Sequence, residues 1–271
     1  MEDKRMNTMK KFLCLALALI MTISLVACGG KDDGKTVYAV EAGSAGEEIA
    51  LEKGWEVNSV DDQAKALMEV DAGTSDAAVI DLLMAGAMIG EGTSYPDLTY
   101  TDRLTEEEYG IGCRKGSDLA AKINYVLLKT YNSGKMQEIA KKYGITEDVL
   151  VNQTTYAAVD VQPTAGGDLE YIINKGKLIV GITNFAPMDY PDANNEWIGF
   201  DADMARIVAD ELGVEIEFVV IDWNNKIFEL DGKGIDVVWN GMTLTDEVMA
   251  AMQCSNPYCK NAQVVVTKTA K

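Results

Sequence analysis

The sequence predicts an α/β protein of two lobes, each a mostly parallel sheet flanked by helices, with a ligand cleft between them. Two observations carry this. Apolar strand-like runs alternate with helical patterns, the order that builds parallel sheets covered on both faces. The plan also occurs twice with matching spacing. Lys35 stands eight residues before Gly43, and Lys177 eight before Phe185. Glu69-Val70-Asp71 begins seven residues ahead of Asp76, and Glu229-Leu230-Asp231 seven ahead of Asp236. An apolar strand follows at once in each case. Chance similarity among common βαβ units is the other reading of this weak repeat.

In the first half, 36–40 reads as a strand, 47–53 as a helix and 55–60 as a second strand. Asp61 or Asp62 caps a helix through Glu69, Gly73 stops it, and 77–80 is a buried strand. Residues 109–115 (YGIGCRK) read as an extended crossover. Leu119, Ile123, Val126 and Leu127 then form the apolar face of a helix over 117–131. Another helix covers 136–143. The less periodic stretch 145–167 wraps a lobe surface, and 169–174 is a short helix. In the second half, 178–182 is a strand. A helix over 201–212 carries Met204, Ile207, Val208 and Leu212 on one face. Residues 215–221 and 237–239 are strands, with a helix from about 224 to 230 between them.

Residues 1–28 read as a lipoprotein signal peptide and lipobox, and 29–34 as a polar tether. Lys10 and Lys11 precede a charge-free run of 16 residues, 12–27. That is short for a membrane span, which needs about 20, and it fits a signal-peptide core. The run ends Leu25-Val26-Ala27-Cys28, which resembles the lipobox of bacterial lipoproteins, where the Cys is lipidated. Cys28 is thus the expected lipidation site. Cys113, Cys254 and Cys259 remain in the mature chain, and Cys254 and Cys259 are close enough in sequence to pair or to stay free.

A formal charge of −19 argues against nucleic-acid binding, which needs Lys and Arg stripes; acidity also keeps a protein soluble. The chain has no His, so it lacks the commonest general base and metal ligand. No Walker-type loop appears, and no cofactor or metal is expected. Paired carboxylates could still do acid–base work, with Glu41 the natural candidate.

Ligands of open α/β sheets bind beyond the carboxyl ends of the strands. That rule nominates Glu41, Gly43, Ser44 and Asp81 from the first half. From the second it nominates Thr183, Phe185, Trp223, Asn240, Gly241 and Thr243. Asp81 suits a ligand ammonium or a helix N-cap. Gly43-Ser44 suits an anion at a helix start or a plain turn. Gly241 and Thr243 could present N–H and hydroxyl donors. Phe185 and Trp223 supply flat walls, and aromatic rings are also common core residues.

Residues 176–266 resemble the opening lobe of the bacterial solute-binding protein family 3, the polar amino-acid binding proteins of ABC importers. The matching runs are GKLIVGITNFAPMDY, WIGFDADMARIVADELG, GIDVVWNGMTLTDEV and CSNPYCKNAQVVV. Residues 34–144 resemble the family's closing part, through GKTVYAVEAGSAGEE, SDAAVIDLLMA, YGIGCRKGSDL and MQEIAKKYG. The halves stand in exchanged order, as in a circular permutation, which is tolerated where termini are close and loops exposed.

The resemblance implies a type II periplasmic-binding-protein-like fold, with a smaller lobe at 35–108 and a larger lobe at 109–271. It implies one covalent crossing near 109–115 and a C-terminal strand that stays with the larger lobe. By the same resemblance Phe185 stacks on the ligand and Trp223 forms a second wall. Gly241, Thr243 and Ser44 meet its carboxylate, and Asp81 its ammonium. Val248 stands where the family usually has the Arg that clamps the carboxylate, so another cation serves or the ligand is not an ordinary α-amino acid. Acidic Glu41 hints at an amine-bearing ligand. The implied protein is a monomeric, extracytoplasmic lipoprotein on the outer face of the cell membrane. Its expected partners are a small amino-acid-like ligand and an ABC permease. The alternatives are a prephenate- or arogenate-type dehydratase of the same fold and a tethered ligand sensor.

Overall fold

A computed structural model of the chain describes residues 34–101 and 103–270. The signal peptide, the lipobox and the lipidation site Cys28 lie outside the described residues. Thirteen strands occur among the described residues: β1 (Val37–Glu41), β2 (Glu56–Val60), β3 (Ala77–Asp81), β4 (Leu98–Tyr100), β5 (Glu107–Cys113), β6 (Lys177–Ile182), β7 (Tyr190–Pro191), β8 (Trp197–Ile198), β9 (Glu215–Val220), β10 (Val237–Thr243), β11 (Gln253–Cys254), β12 (Cys259–Asn261) and β13 (Gln263–Lys268). They form two main sheets and the small β7–β8 ribbon.

The first sheet runs β2-β1-β3-β13-β4 and the second β9-β6-β10-β5-β11, with β12 also on β5. Each has the same construction. Three parallel strands come from one half of the chain, β2-β1-β3 or β9-β6-β10. One antiparallel strand then arrives from the other half. β13 enters the first sheet against β3, and β5 enters the second against β10.

The internal repeat therefore has a physical counterpart. Asp76 accepts from the Val37 N–H at 2.9 Å and returns its own N–H to the Val37 carbonyl. Asp236 does the same with Ile179, at 2.8 Å. The two aspartates hold equivalent strand starts together.

The C-terminal strand corrects the expectation that it stays with the larger lobe. Gln263 to Thr267 pair antiparallel with Asp81 to Ala77 of β3, so β13 belongs to the smaller lobe's sheet. The chain consequently passes between the sheets twice, from β4 to β5 and at Ala262, rather than once. Residues 109–113 are not a crossover either; they lie inside β5. The reason is burial. Val264 and Val266 are fully buried, and an antiparallel slot beside the all-buried β3 removes both from water while satisfying the backbone.

The helices follow the sequence pattern. Leu119–Asn132 buries Leu119, Ile123, Val126 and Leu127. Phe200–Leu212 buries Met204 and Val208, with Ile207 and Leu212 half-buried. The 145–167 stretch contains two short 3₁₀ turns, Glu147–Val149 and Gln153–Thr155. It is tied down where the Val151 N–H donates to the Tyr258 carbonyl and where Asp118 accepts from Leu169 and Thr164. Those bonds hold Asp118 below the usual carboxylate range, against the opposing effect of its partial burial. Cys113, Cys254 and Cys259 are all free thiols.

Candidate functional site

The carboxyl ends of β1, β3 and β10 converge on one cavity of about 350 Å³, inside the range of small-molecule sites. Glu41, Gly43, Ser44 and Asp81 line it from one sheet, and Trp223, Asn240, Gly241 and Thr243 from the other. Eight of the ten residues nominated from sequence thus share one cavity.

Thr183 and Phe185 do not line it, and for Phe185 this corrects its assignment as a ligand wall. The Phe185 N–H donates to the Asp189 carbonyl at 2.7 Å, and its own carbonyl takes the N–H groups of Met188 and Asp189. That turn tucks the ring, 2% exposed, beneath Gly241 and edge-on to Tyr109, 6.3 Å between centroids. Gly241 must lack a side chain, because a Cβ there would collide with the Phe185 ring. Its φ of +57° is also one that glycine adopts without strain.

The two lobes touch across the cavity. Lys226, 8% exposed, sends its Nζ from the second lobe to the Gly43 carbonyl of the first, at 2.8 Å, and shares it with the Trp223 carbonyl at 3.3 Å. The same Nζ sits 5.1 Å from the centre of the Trp223 ring, a cation–π distance. Burial lowers the Lys226 pKa, and Glu41 is the first of the acids that oppose this. Gly43 lets Asn224 come close; a Cβ on Gly43 would stand 2.7 Å from the Asn224 Cα. Lys226, Asn224 and Gln63 were not found in the sequence reading. A lone Lys in a short helical pattern carries no signal until the lobes are assembled.

Two carboxyls lie deep in the cavity. Glu41, 3% exposed, has a pKa raised to about 8, first by burial and then by the charge of Asp81; Thr183 and Gln63 pull it back. Its Oε1 has no hydrogen-bond partner. Asp81 is raised to about 7 by burial and Glu107, yet its oxygens are crowded with donors. Tyr109 donates its hydroxyl at 2.8 Å and Gln263 its Nε2 at 3.0 Å. Gln63 and Asn261 add their amides. As the helix N-cap at 81, its side chain makes no cap bond. Ser44, by contrast, does cap the helix Ala45–Glu52, accepting from the Glu47 N–H at 3.1 Å. Among the described residues no group of His, Cys, Asp and Glu is arranged to hold a metal. None of their helices is long and apolar enough to cross a membrane.

Comparison with known proteins finds similarity over the C-terminal third of the chain. Residues 178–271 match the model of the bacterial extracellular solute-binding proteins, family 3. The matched segment begins in β6 and includes every strand after it. Over 95 residues the chain is 35% identical to the "Arginine-binding extracellular protein ArtP" of Bacillus subtilis, covering 35% of this chain and 37% of that protein. It is 32% identical to the "L-cystine-binding protein TcyJ" of Escherichia coli over 93 residues, 34% of this chain and 35% of that one. It is 27% identical to the "Cyclohexadienyl dehydratase" of Pseudomonas aeruginosa over 100 residues, 36% and 37% of the two chains. The chain thus spans little more than a third of the length of these relatives. A solved structure, the arginine-bound form of domain 1 from TmArgBP, is 30% identical over 36% of this chain and 85% of that one, with a TM-score of 0.29. These relatives include amino-acid-binding proteins and a dehydratase.

Proposed function

We propose that the protein is an extracytoplasmic, lipid-anchored binding protein that traps a small amino-acid-like solute between its lobes and delivers it to an ABC permease. The observation that carries this is the single cavity built from strand ends of both sheets, with Lys226 of one lobe bonded to Gly43 of the other. A solute held on both faces favours the closed arrangement by contacts it cannot make when the lobes part. The exchanged order of the halves supports a circular permutation. Residues 178–271, from β6 onward, match the family 3 model, while the preceding half completes an equivalent sheet. The match to importer binding proteins supports the permease as partner.

A thermal-shift screen of amino acids, amines and small peptides tests the reading. At least one should raise the melting temperature in proportion to the logarithm of its concentration, as mass action requires. A flat response to every solute would refute it. The lobe contact makes a second expectation. Gly43→Ala places a Cβ against Asn224 and strains a backbone at φ +72°, and it should weaken solute binding about tenfold, or 1.4 kcal/mol. Unchanged affinity by calorimetry would remove this contact from the closure.

A second reading has one observation behind it. Glu41 is a carboxyl that stays protonated near neutral pH, as a general acid must, and a dehydratase is among the relatives. Turnover of prephenate or arogenate would establish it; binding without turnover leaves the transport reading.

A further inference from the structure

The donors and acceptors around the cavity are unequally committed. Three of the four residues nominated to grip a carboxylate already hold oxygens of the protein itself, and the fourth, Ser44, has its hydroxyl oxygen turned to the Glu47 N–H. The Gly43 N–H donates to Glu47 Oε2 at 2.7 Å. The Gly241 N–H donates to Asp201 at 2.7 Å, and the Thr243 hydroxyl to Glu107 at 3.1 Å. Lys226 is the one cationic side chain lining the cavity among the described residues, and its Nζ is divided between two carbonyls. Val248, an apolar wall, adds no donor from its side chain.

The acceptors stand differently. Glu41 Oε1 and Asn240 Oδ1 are buried and have no partner, on residues 3% and 2% exposed. They come from opposite sheets and line the same cavity. The Asn240 amide is held in place because its Nδ2 donates to Thr183 at 2.7 Å. A buried acceptor without a donor costs about 1–3 kcal/mol, so a solute that supplies N–H groups offsets that cost. Glu47, Glu48 and Glu247 add negative charge around the same walls, and Trp223, whose ring already has the Lys226 Nζ at 5.1 Å, adds a flat apolar wall.

We infer that the cavity takes a small organic cation without a carboxylate, an amine or guanidine whose N–H groups bridge Glu41 and Asn240. The inference rests on the reading of the cleft as a solute site and narrows its ligand. It replaces the expected carboxylate clamp with a carboxyl and an amide that face an ammonium or guanidinium.

Matched pairs of probes test it. Agmatine and arginine share a guanidinium and differ in the carboxylate; cadaverine and lysine share an ammonium. Calorimetry at pH 8 should find the decarboxylated member of at least one pair bound tenfold or more tighter. Glu41→Gln should weaken that binding at least tenfold, and Asn240→Ala, at the other sheet, should do so independently. Equal or tighter binding of arginine and lysine would overturn the inference and leave the solute cleft standing, as would binding only of neutral or anionic solutes. Unchanged affinity in both variants would likewise overturn it. Binding of no solute at all would remove both the inference and the cleft's function.

Discussion

Replacing Asp81 with alanine is expected to lower the unfolding free energy by about 3 kcal/mol, among the larger effects of a single substitution. The carboxyl sits at the end of β3 and gathers donors from both sheets and from the segment between them: Gln63, Tyr109, Asn261 and Gln263. Tyr109 reaches it from β5 of the other sheet, and Asn261 lies at the second crossing. Removing the side chain strands the Gln63 amide and the Tyr109 hydroxyl at the point where the lobes are joined, and leaves Asn261 and Gln263 with Glu107 alone as acceptor; each unsatisfied group carries a desolvation cost. Chemical denaturation measures this; a loss below about 1 kcal/mol would show that the donors find other partners. Asp81→Asn keeps the shape and should cost less. The same geometry changes what Asp81 can do for a ligand. Its oxygens are largely spent, so its nomination as the ammonium acceptor gives way to Glu41 as the proposal.

Cation binding is expected to tighten as pH rises from 6 to about 8, by up to tenfold per unit, and then to level off. Glu41 sets this window because burial and the charge of Asp81 raise its pKa to about 8. Below that pH it carries a proton, which a bound ammonium must displace. The groups facing it are Asp81 and Asp62, which raise it further, and Thr183 and Gln63, which lower it. Lys226 responds to its charge from the second lobe.

The unliganded protein should behave in the opposite sense. A carboxyl whose folded pKa lies above its ordinary 4.5 contributes most below that value. It becomes a liability as pH climbs through about 8, so stability falls across the window in which ligand affinity grows. The ligand-induced rise in melting temperature is therefore larger at pH 8 than at pH 6. Calorimetry in two buffers of different ionisation enthalpy should detect proton release on binding near pH 7. A dissociation constant flat between pH 6 and 9 would contradict the role given to Glu41.

Much of this was legible in the sequence for a definite reason. Equivalent strands of the two sheets carry the same local bonds, so the spacing from Lys35 to Gly43 and from Lys177 to Phe185 reflects real correspondence between β1 and β6. Strand ends point at the cleft, and the residues there, Glu41, Asp81 and Asn240 among them, could be named without coordinates. What could not be read was whatever depends on the partner of a segment. The run 263–268 looks like a strand from its valines alone, but its place beside β3 is decided by which sheet has an open antiparallel slot. Phe185 sits in a turn whose backbone bonds to Asp189 decide that the ring goes under Gly241 instead of into the cavity. Lys226 acquires its position only when the Gly43 carbonyl arrives from another lobe.

The most direct measurement is a crystal structure of the protein with whichever solute raises its melting temperature most. The solute should lie between the sheets, with a nitrogen near both Glu41 Oε1 and Asn240 Oδ1 and an apolar portion on Trp223. Density for the solute anywhere outside that cavity, or a solute oxygen pointed at Glu41, would contradict the account.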